Sequence, residues 1–526
     1  MIPHESLWDV IGRRARETPH RHMIVEADGS AITYRDALEV VLNWSAGLGQ
    51  QPGQVARRVA AVLPNSASVY LLRLACGQAG VTFLALNPLL EGSLLRDAIV
   101  RSAVTDLVVS RETAASLTAI RGELPPGLVV HTLEGDGDSD TLRTKSYGCA
   151  HPGSPGDLAE HPPGGSQVVL YTSGTTGPAK PVRLSSRSIQ SYATNLFGGR
   201  EPAWTPDAGY YSPWHPGHVL GAVALDVAVL RGLTLVLRRK FSRSTFWADI
   251  ISYHCEATTL VAVAGDLRAH GEPWQGRNPL RLVGMSPLVE DVRDFERYFG
   301  VEVVSLYGMT EVGTALTARS PADSRITGWP VPGYQCRLVE IPGVDAVASR
   351  AGRVGELVVR PGFVTSEYDL GGEPATGGWE DGWFHTGDLF AEIGGAYSFV
   401  GRIKDSIRRH GRNISADDLE SVVRTLPGVA DCACVGVSGP HPAGRPATDD
   451  EIRIFVITGP DAVLDPERLM ARMAECLPAF MLPRYLDIVP DLPRTLSGKV
   501  SRQALRQVPL SPETYDRKRP AELRTT

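Results

Sequence analysis

Lysine is scarce in this sequence. Of 53 basic residues only six are lysine (Lys145, Lys180, Lys240, Lys404, Lys499 and Lys518), and the other 47 are arginine. Glycine and proline number 54 and 39. With arginine and alanine they have GC-rich codons, so a GC-rich genome accounts for the bias. If such pressure replaces lysine by arginine wherever either serves, the surviving lysines mark positions where a compact ammonium matters. Cysteine is also limited: there are seven, and none form a CxxC pair. Cys432 and Cys434 are spaced CxC, which on a strand puts both on one face and reads as buried thiols in a reducing cytoplasm. The chain has no basic excess. A formal charge of -6 argues against an electrostatic nucleic-acid partner. It has no unbroken apolar run of membrane length either. Residues 219–237 are interrupted by Asp226, Arg231 and Gly232, and read as a buried helix followed by a strand rather than a span. The opening stretch MIPHESLWDVIGRRARE lacks the apolar core of a secretory signal.

What is present is a globular composition, 43% hydrophobic and 21% charged over 526 residues, enough for several domains. Strand-like runs at 55–63, 105–110, 166–173 and 301–308 end in turn residues. Helical periods lie between them, as at 68–80, so the fold class is α/β. The loop at 134–140, EGDGDSD, lacks the glycine and final glutamate of a calcium loop. Residues 151–166 form a Pro/Gly-rich connector. Residues 383–401 read as short strands, and a second unit begins near 400. In that unit Ser415 and Asp418 make a capping box for a helix carrying Leu419, Val422, Val423 and Leu426. A strand at 451–458 and a helix at 465–477 follow, and the polar tail from Gln507 is expected to fray. The expected division is an N-terminal domain over 1–400, a hinge at 401–405 and a small α+β C-terminal domain over 406–526.

The string Leu170-Tyr171-Thr172-Ser173-Gly174-Thr175-Thr176-Gly177-Pro178-Ala179-Lys180 runs a buried strand into a loop of hydroxyls and glycines. Small residues let backbone N–H groups approach phosphate oxygens, hydroxyls add donors, and the lysine adds charge. A short TSG sequence alone could be an ordinary Ser/Thr-rich turn. A Walker P-loop is excluded, because Ala179 and Pro181 flank the lysine. The full string resembles the phosphate loop of the adenylate-forming superfamily: acyl- and aryl-CoA synthetases, luciferases and peptide-synthetase adenylation domains. Four further segments resemble that family in the same order: Tyr307-Gly308-Met309-Thr310-Glu311, His385-Thr386-Gly387-Asp388, Gly401-Arg402-Ile403-Lys404-Asp405 with the Gly411 loop, and Pro493-Arg494-Thr495-Leu496-Ser497-Gly498-Lys499. The resemblance spans about residues 5–506. It departs from the family at Ala179-Lys180-Pro181, where Pro-Lys-Gly is usual, so the loop exit is stiffer.

The resemblance implies a large multi-subdomain N-terminal domain, a small mobile C-terminal domain and a two-step reaction. A carboxylate attacks the α-phosphate of ATP and expels pyrophosphate, and a nucleophile then displaces AMP. Bringing an anion to a polyanion requires fixed positive charge and positioning. On this reading Thr172, Ser173, Gly174, Thr175, Thr176, Gly177 and Lys180 hold phosphates. Lys499 bridges carboxylate and α-phosphate, Glu311 holds Mg²⁺ and Thr310 touches phosphate. Tyr307 stacks on adenine, which Gly284, Met285 and Ser286 border with backbone. Asp388 accepts the ribose hydroxyls and Arg402 reaches ribose or phosphate. Lys404 marks the hinge. Gly411 leaves room for a pantetheine thiol, and Arg408, Arg409 and Arg412 are candidate contacts for CoA phosphates. His218 is the candidate acid-pocket histidine with His215 as rival, and Trp214 suggests an apolar or aromatic acid. For each of these residues an ordinary core, turn or surface role is the competing reading. The expected protein is a cytoplasmic ligase that activates a small or medium apolar carboxylic acid and transfers it to coenzyme A. The alternative is transfer to an amine or carrier thiol, as in amide synthetases of bacterial secondary metabolism.

Overall fold

The computed structural model describes residues 6–48, 56–133, 167–171, 180–199, 201–261, 263–264, 267, 278–289, 291–341, 353–362, 366–370, 373–375, 378–403, 407–409, 412–414, 416–438, 450–460, 462–477, 479–494 and 500–518. The loops at 134–140 and 151–166 lie outside them, as do Thr172 to Gly177, Lys404, Gly411, the Ser415 cap and Lys499.

The chain clusters into two compact units. The first comprises residues 1–172, 179–335 and 361–379, and the second comprises 173–178, 336–360 and 380–526. Segments 336–360 and 380–400, which the sequence reading groups with residues 1–400, cluster with the C-terminal part.

Two large mixed sheets build the first unit. One runs in spatial order through Trp329–Pro330, Gly313–Arg319, Glu302–Met309, Leu282–Ser286, Cys255–Val261, Gly209–Ser212, Thr234–Leu237, His22–Glu26 and Ala31–Thr33. Its interior is parallel and its edges antiparallel. The other runs through Glu373–Ala375, Ser366–Leu370, Pro181–Ser185, Gln167–Tyr171, Thr82–Ala85, Arg58–Val62, Asp106–Val109 and Val129–Thr132. Arg58–Val62 and Asp106–Val109 are buried along their whole length, as the continuous apolar runs of central parallel strands require. The expected helix at 68–80 is Ala67–Gln78. The run at 219–237 is the half-buried helical segment Val219–Ala222, the largely buried helix Ala224–Arg231 and then the strand Thr234–Leu237. Among the described residues no helix is long and apolar enough to cross a membrane.

In the second unit, the expected short strands at 383–401 are instead one long hairpin. Trp383–Ile393 turns at Gly394-Gly395 into Ala396–Arg402, and Arg353–Pro361 pairs along the other side of Trp383–Ile393. The tract reads as fragmented because His385, Thr386, Gly387 and Asp388 interrupt its apolar pattern without ending the ladder. Beyond it, Val429–Ser438, Asp450–Thr458, Tyr485–Ile488 and Tyr515–Asp516 form a four-stranded sheet. Cys432, Cys434, Ile452 and Ile454 face the helices Ala416–Arg424 and Pro466–Cys476, while Ala433, Val435 and Phe455 face Leu492 and Leu505. Both cysteines are thus buried thiols on one face, and burial pushes Cys432 up to about 12. The tail does not fray at Gln507. Tyr515–Asp516 adds the fourth strand, held by Arg484 on Asp516 at 3.1 Å and by Lys518 on Glu451 at 2.5 Å.

Candidate active site

The first unit holds its candidate site on one tight hairpin. Strand Glu302–Met309 turns at Thr310-Glu311-Val312 and returns as Gly313–Arg319, with Met309 opposite Gly313. Three tyrosine hydroxyls fix this turn. Tyr192 donates to the Thr310 carbonyl at 3.0 Å, Tyr334 donates to the Val312 carbonyl at 2.6 Å, and Tyr368 donates to Glu311 Oε1 at 3.1 Å. Gly313 has φ +72°, and a Cβ there would stand 2.1 Å from Cδ1 of Tyr192, so the buried ring and the turn fit only without a side chain. Burial, and then the charge of Glu311, push the Tyr368 phenol well above its usual range and keep it a donor.

Lys180 belongs to the same cluster. Its ammonium lies 5.0 Å from the Tyr368 ring centroid, a cation–π contact. Pro181 is the first residue of its strand and pairs opposite Tyr171, a place where the missing N–H is tolerated. Lys180 therefore stands over the ring whose hydroxyl holds Glu311. Tyr307 lies on Glu302–Met309, and Gly284, Met285 and Ser286 lie on the neighbouring parallel strand. The Met285 side chain is buried in the core, so only backbone there is available to a ligand.

The two histidines differ. His215 accepts the Gly217 N–H at Nδ1 over 2.9 Å, so its proton sits on Nε2 and is donated to the Leu63 carbonyl at 2.8 Å. Burial pushes it down to about 4, opposed by the Leu63 bond. It is a neutral structural residue. His218 caps the helix Val219–Ala222, with Nδ1 accepting the Leu220 N–H at 3.3 Å. Trp214 Nε1 donates to the Thr259 carbonyl at 2.9 Å, tying residues 212–221 to strand Cys255–Val261.

In the second unit Asp388 and Arg402 are cross-strand partners, and Arg402 Nε lies 3.2 Å from Asp388 Oδ1. The bend before Asp388 is held by Glu356, which accepts the Gly387 N–H at 2.9 Å and stands 2.9 Å from His385 Nδ1. The Thr386 hydroxyl donates to the Leu357 carbonyl at 2.6 Å and accepts the Asp388 N–H at 3.1 Å. Within each unit some of the described motif residues come together: Lys180 and Glu311 share Tyr368, and Asp388 pairs with Arg402. Sequence reasoning missed Tyr192, Tyr334, Tyr368 and Glu356. Their partners lie 118, 22, 57 and 29 residues away, beyond any local pattern.

The family model for AMP-binding enzymes matches residues 11–369, and that for the C-terminal domain of AMP-binding enzymes matches residues 418–499. The chain is 28% identical over 523 residues to a sulfoacetate–CoA ligase of Cupriavidus necator, covering 95% of this chain and 97% of that one. It is 29% identical over 516 residues to a feruloyl-CoA synthase of Amycolatopsis, covering 95% and 98%. Its fold is like that of an amide bond synthetase from Marinactinospora thermotolerans, with a TM-score of 0.77 at 23% identity, covering 94% of this chain and 98% of that one.

Proposed function

The chain belongs to the AMP-binding enzyme family, and from that premise we propose that it is an AMP-forming ligase that joins a small or medium apolar carboxylic acid to the AMP part of ATP with release of pyrophosphate, and passes the acyl group to coenzyme A with release of AMP. The observation that carries this reading is the pairing of Lys180 and Glu311 on Tyr368, beside a turn whose Thr310 carbonyl is held by Tyr192. A cation and a carboxylate are thus gathered at the end of strand Glu302–Met309. The two ligases similar over almost the whole chain support CoA as acceptor.

The first step is the harder electrostatic one, because a carboxylate must approach a triphosphate. Lys180 and the proposed phosphate loop, Thr172 to Gly177, screen that repulsion, and Lys499 joins the two reacting anions. Thr310 contributes a hydroxyl donor. Asp388 with Arg402 holds the ribose, and Tyr307 with the backbone of Gly284 to Ser286 holds the base. Among the described residues no three His, Cys, Asp or Glu side chains gather as a metal cage. The single carboxylate of Glu311 fits a magnesium ion held mainly by the nucleotide's own phosphates. Bound there, magnesium neutralises phosphate charge. His218 and Trp214 border the acid, and Trp214 favours an apolar or aromatic one. Residues 401–405, with Lys404, are the proposed hinge between the N-terminal domain and a C-terminal domain at 406–526. Gly411 belongs to the orientation that admits the pantetheine thiol. The buried free thiols suit a reducing cytoplasm.

The test is a panel of aliphatic, aromatic and amino acids in acid-dependent ATP–pyrophosphate exchange, followed by CoA or amines with the positive acid. Thioester product is expected. Amide without CoA would overturn the acceptor, and no exchange with any acid would overturn the activity. Lys499→Ala is expected to lose adenylation and still convert supplied acyl-adenylate. Equal loss of both steps would refute the hinge.

A further inference from the structure

We propose that Tyr368 is a positioning residue that couples the magnesium-binding carboxylate of Glu311 to the phosphate-binding ammonium of Lys180, so that metal and nucleotide charge are received by one pre-set unit. The inference rests on the function proposed above and names a residue outside all five segments that resemble the family.

The geometry is specific. Tyr368 sits on strand Ser366–Leu370, which pairs antiparallel with Pro181–Ser185, and its partner there is Val182, two residues past Lys180. Its neighbours are anchored on both sides. Glu367 meets Arg183 across the ladder at 3.2 Å, and Asp369, fully buried, meets buried Arg58 at 2.7 Å. These contacts anchor the strand backbone on either side of Tyr368. From this fixed base one side chain serves two partners, its face under the Lys180 ammonium and its hydroxyl on Glu311 Oε1. The phenol donates to one carboxylate oxygen and so orients Glu311. A carboxylate ligand is commonly oriented by such an outer hydrogen bond, and losing one typically costs about 10–100-fold in metal affinity.

Two substitutions separate the roles. Tyr368→Phe keeps the ring under Lys180 and removes the bond to Glu311, whereas Tyr368→Leu removes both. ATP binding by the full chain is measured by calorimetry with excess Mg²⁺ and again with EDTA. For Tyr368→Phe, affinity in EDTA should match wild type, and the tightening produced by Mg²⁺ should shrink about 10-fold or more. Tyr368→Leu should also weaken binding in EDTA. In a Glu311→Gln background, Tyr368→Phe should add nothing, which a merely structural loss would not reproduce. Full Mg²⁺ tightening in Tyr368→Phe, equal losses with and without Mg²⁺, or additive losses in the Glu311→Gln background would each overturn the coupling while leaving the ligase reading intact. Wild-type protein that binds no ATP would overturn both.

Discussion

Gly313 offers a controlled test of the tyrosine-held turn. Gly313 and Gly199 share nearly the same left-handed φ, +72° and +74°, but have opposite surroundings. A Cβ on Gly199 meets nothing within 4 Å, whereas one on Gly313 stands 2.1, 2.2 and 2.6 Å from three ring atoms of Tyr192. Alanine in either place carries the left-handed cost, about 1–2 kcal/mol. Only Gly313→Ala adds overlap with a buried ring, typically about 1–3 kcal/mol. The difference between the two variants is therefore that second term alone. If the ring yields, the loss falls on stability. If the turn yields, the Thr310 carbonyl and Glu311 move, and ATP affinity drops by about 5- to 150-fold for the same energy. Urea unfolding and ATP calorimetry on both variants divide the two routes. A Gly313→Ala protein that matches Gly199→Ala in both measurements would refute the claim that Tyr192 and this turn are packed as one piece.

Glu356→Gln keeps an oxygen for one of its two donors, Gly387 N–H or His385, and turns an amide toward the other. ATP affinity should fall by about tenfold through the loosened Asp388 bend, and unchanged affinity would show that the bend needs no such anchor. His215 has a folded value near 4, below its ordinary 6.5, so the unfolded chain binds the extra proton and stability is lost as pH falls from about 6.5 toward 4. His215→Gln should remove on the order of 1–3 kcal/mol of that slope, checked by urea midpoints at about pH 5 and about pH 7; a slope equal to wild type would contradict the neutral assignment. In native protein at about pH 8, iodoacetamide should label exposed Cys476 and spare Cys432 and Cys434, as mass spectrometry would show; labelling of either spared thiol would contradict their burial.

The parallel strands were legible because strands covered on both faces read as continuous apolar runs, as at 58–62 and 106–109. The CxC pair was legible because a strand alternates with period two, and it landed on the inner face of Val429–Ser438. The long hairpin at 383–402 was not, since its polar middle serves Glu356 and Arg402 rather than the apolar pattern. The tail at 515–516 was not, because two residues of strand carry no periodicity and are held there by Arg484. The motifs named the groups proposed to face a nucleotide. They gave no sign of the tyrosines that aim those groups, since a phenol donating to a distant carbonyl leaves no trace in local spacing. His215 and His218, three residues apart, were separable only once the Leu63 carbonyl was seen beside one of them.

The buried pair of Arg58 and Asp369 joins residues 311 apart in the chain. On the ribosome the guanidinium emerges long before its carboxylate. At about 5–20 residues per second the interval is about 15–60 s. Over that time the inner strands around Arg58 can pair, but the sheet lacks Ser366–Leu370, and Pro181–Ser185 stands as an open edge. An arginine destined for the interior must stay hydrated until the closing strand arrives, which holds the N-terminal strands short of final packing. Synthesis of this enzyme therefore passes through a long-lived nascent form with an unsatisfied edge, and its yield in cells should depend on chaperones that shield that edge more than on the stability of the finished fold.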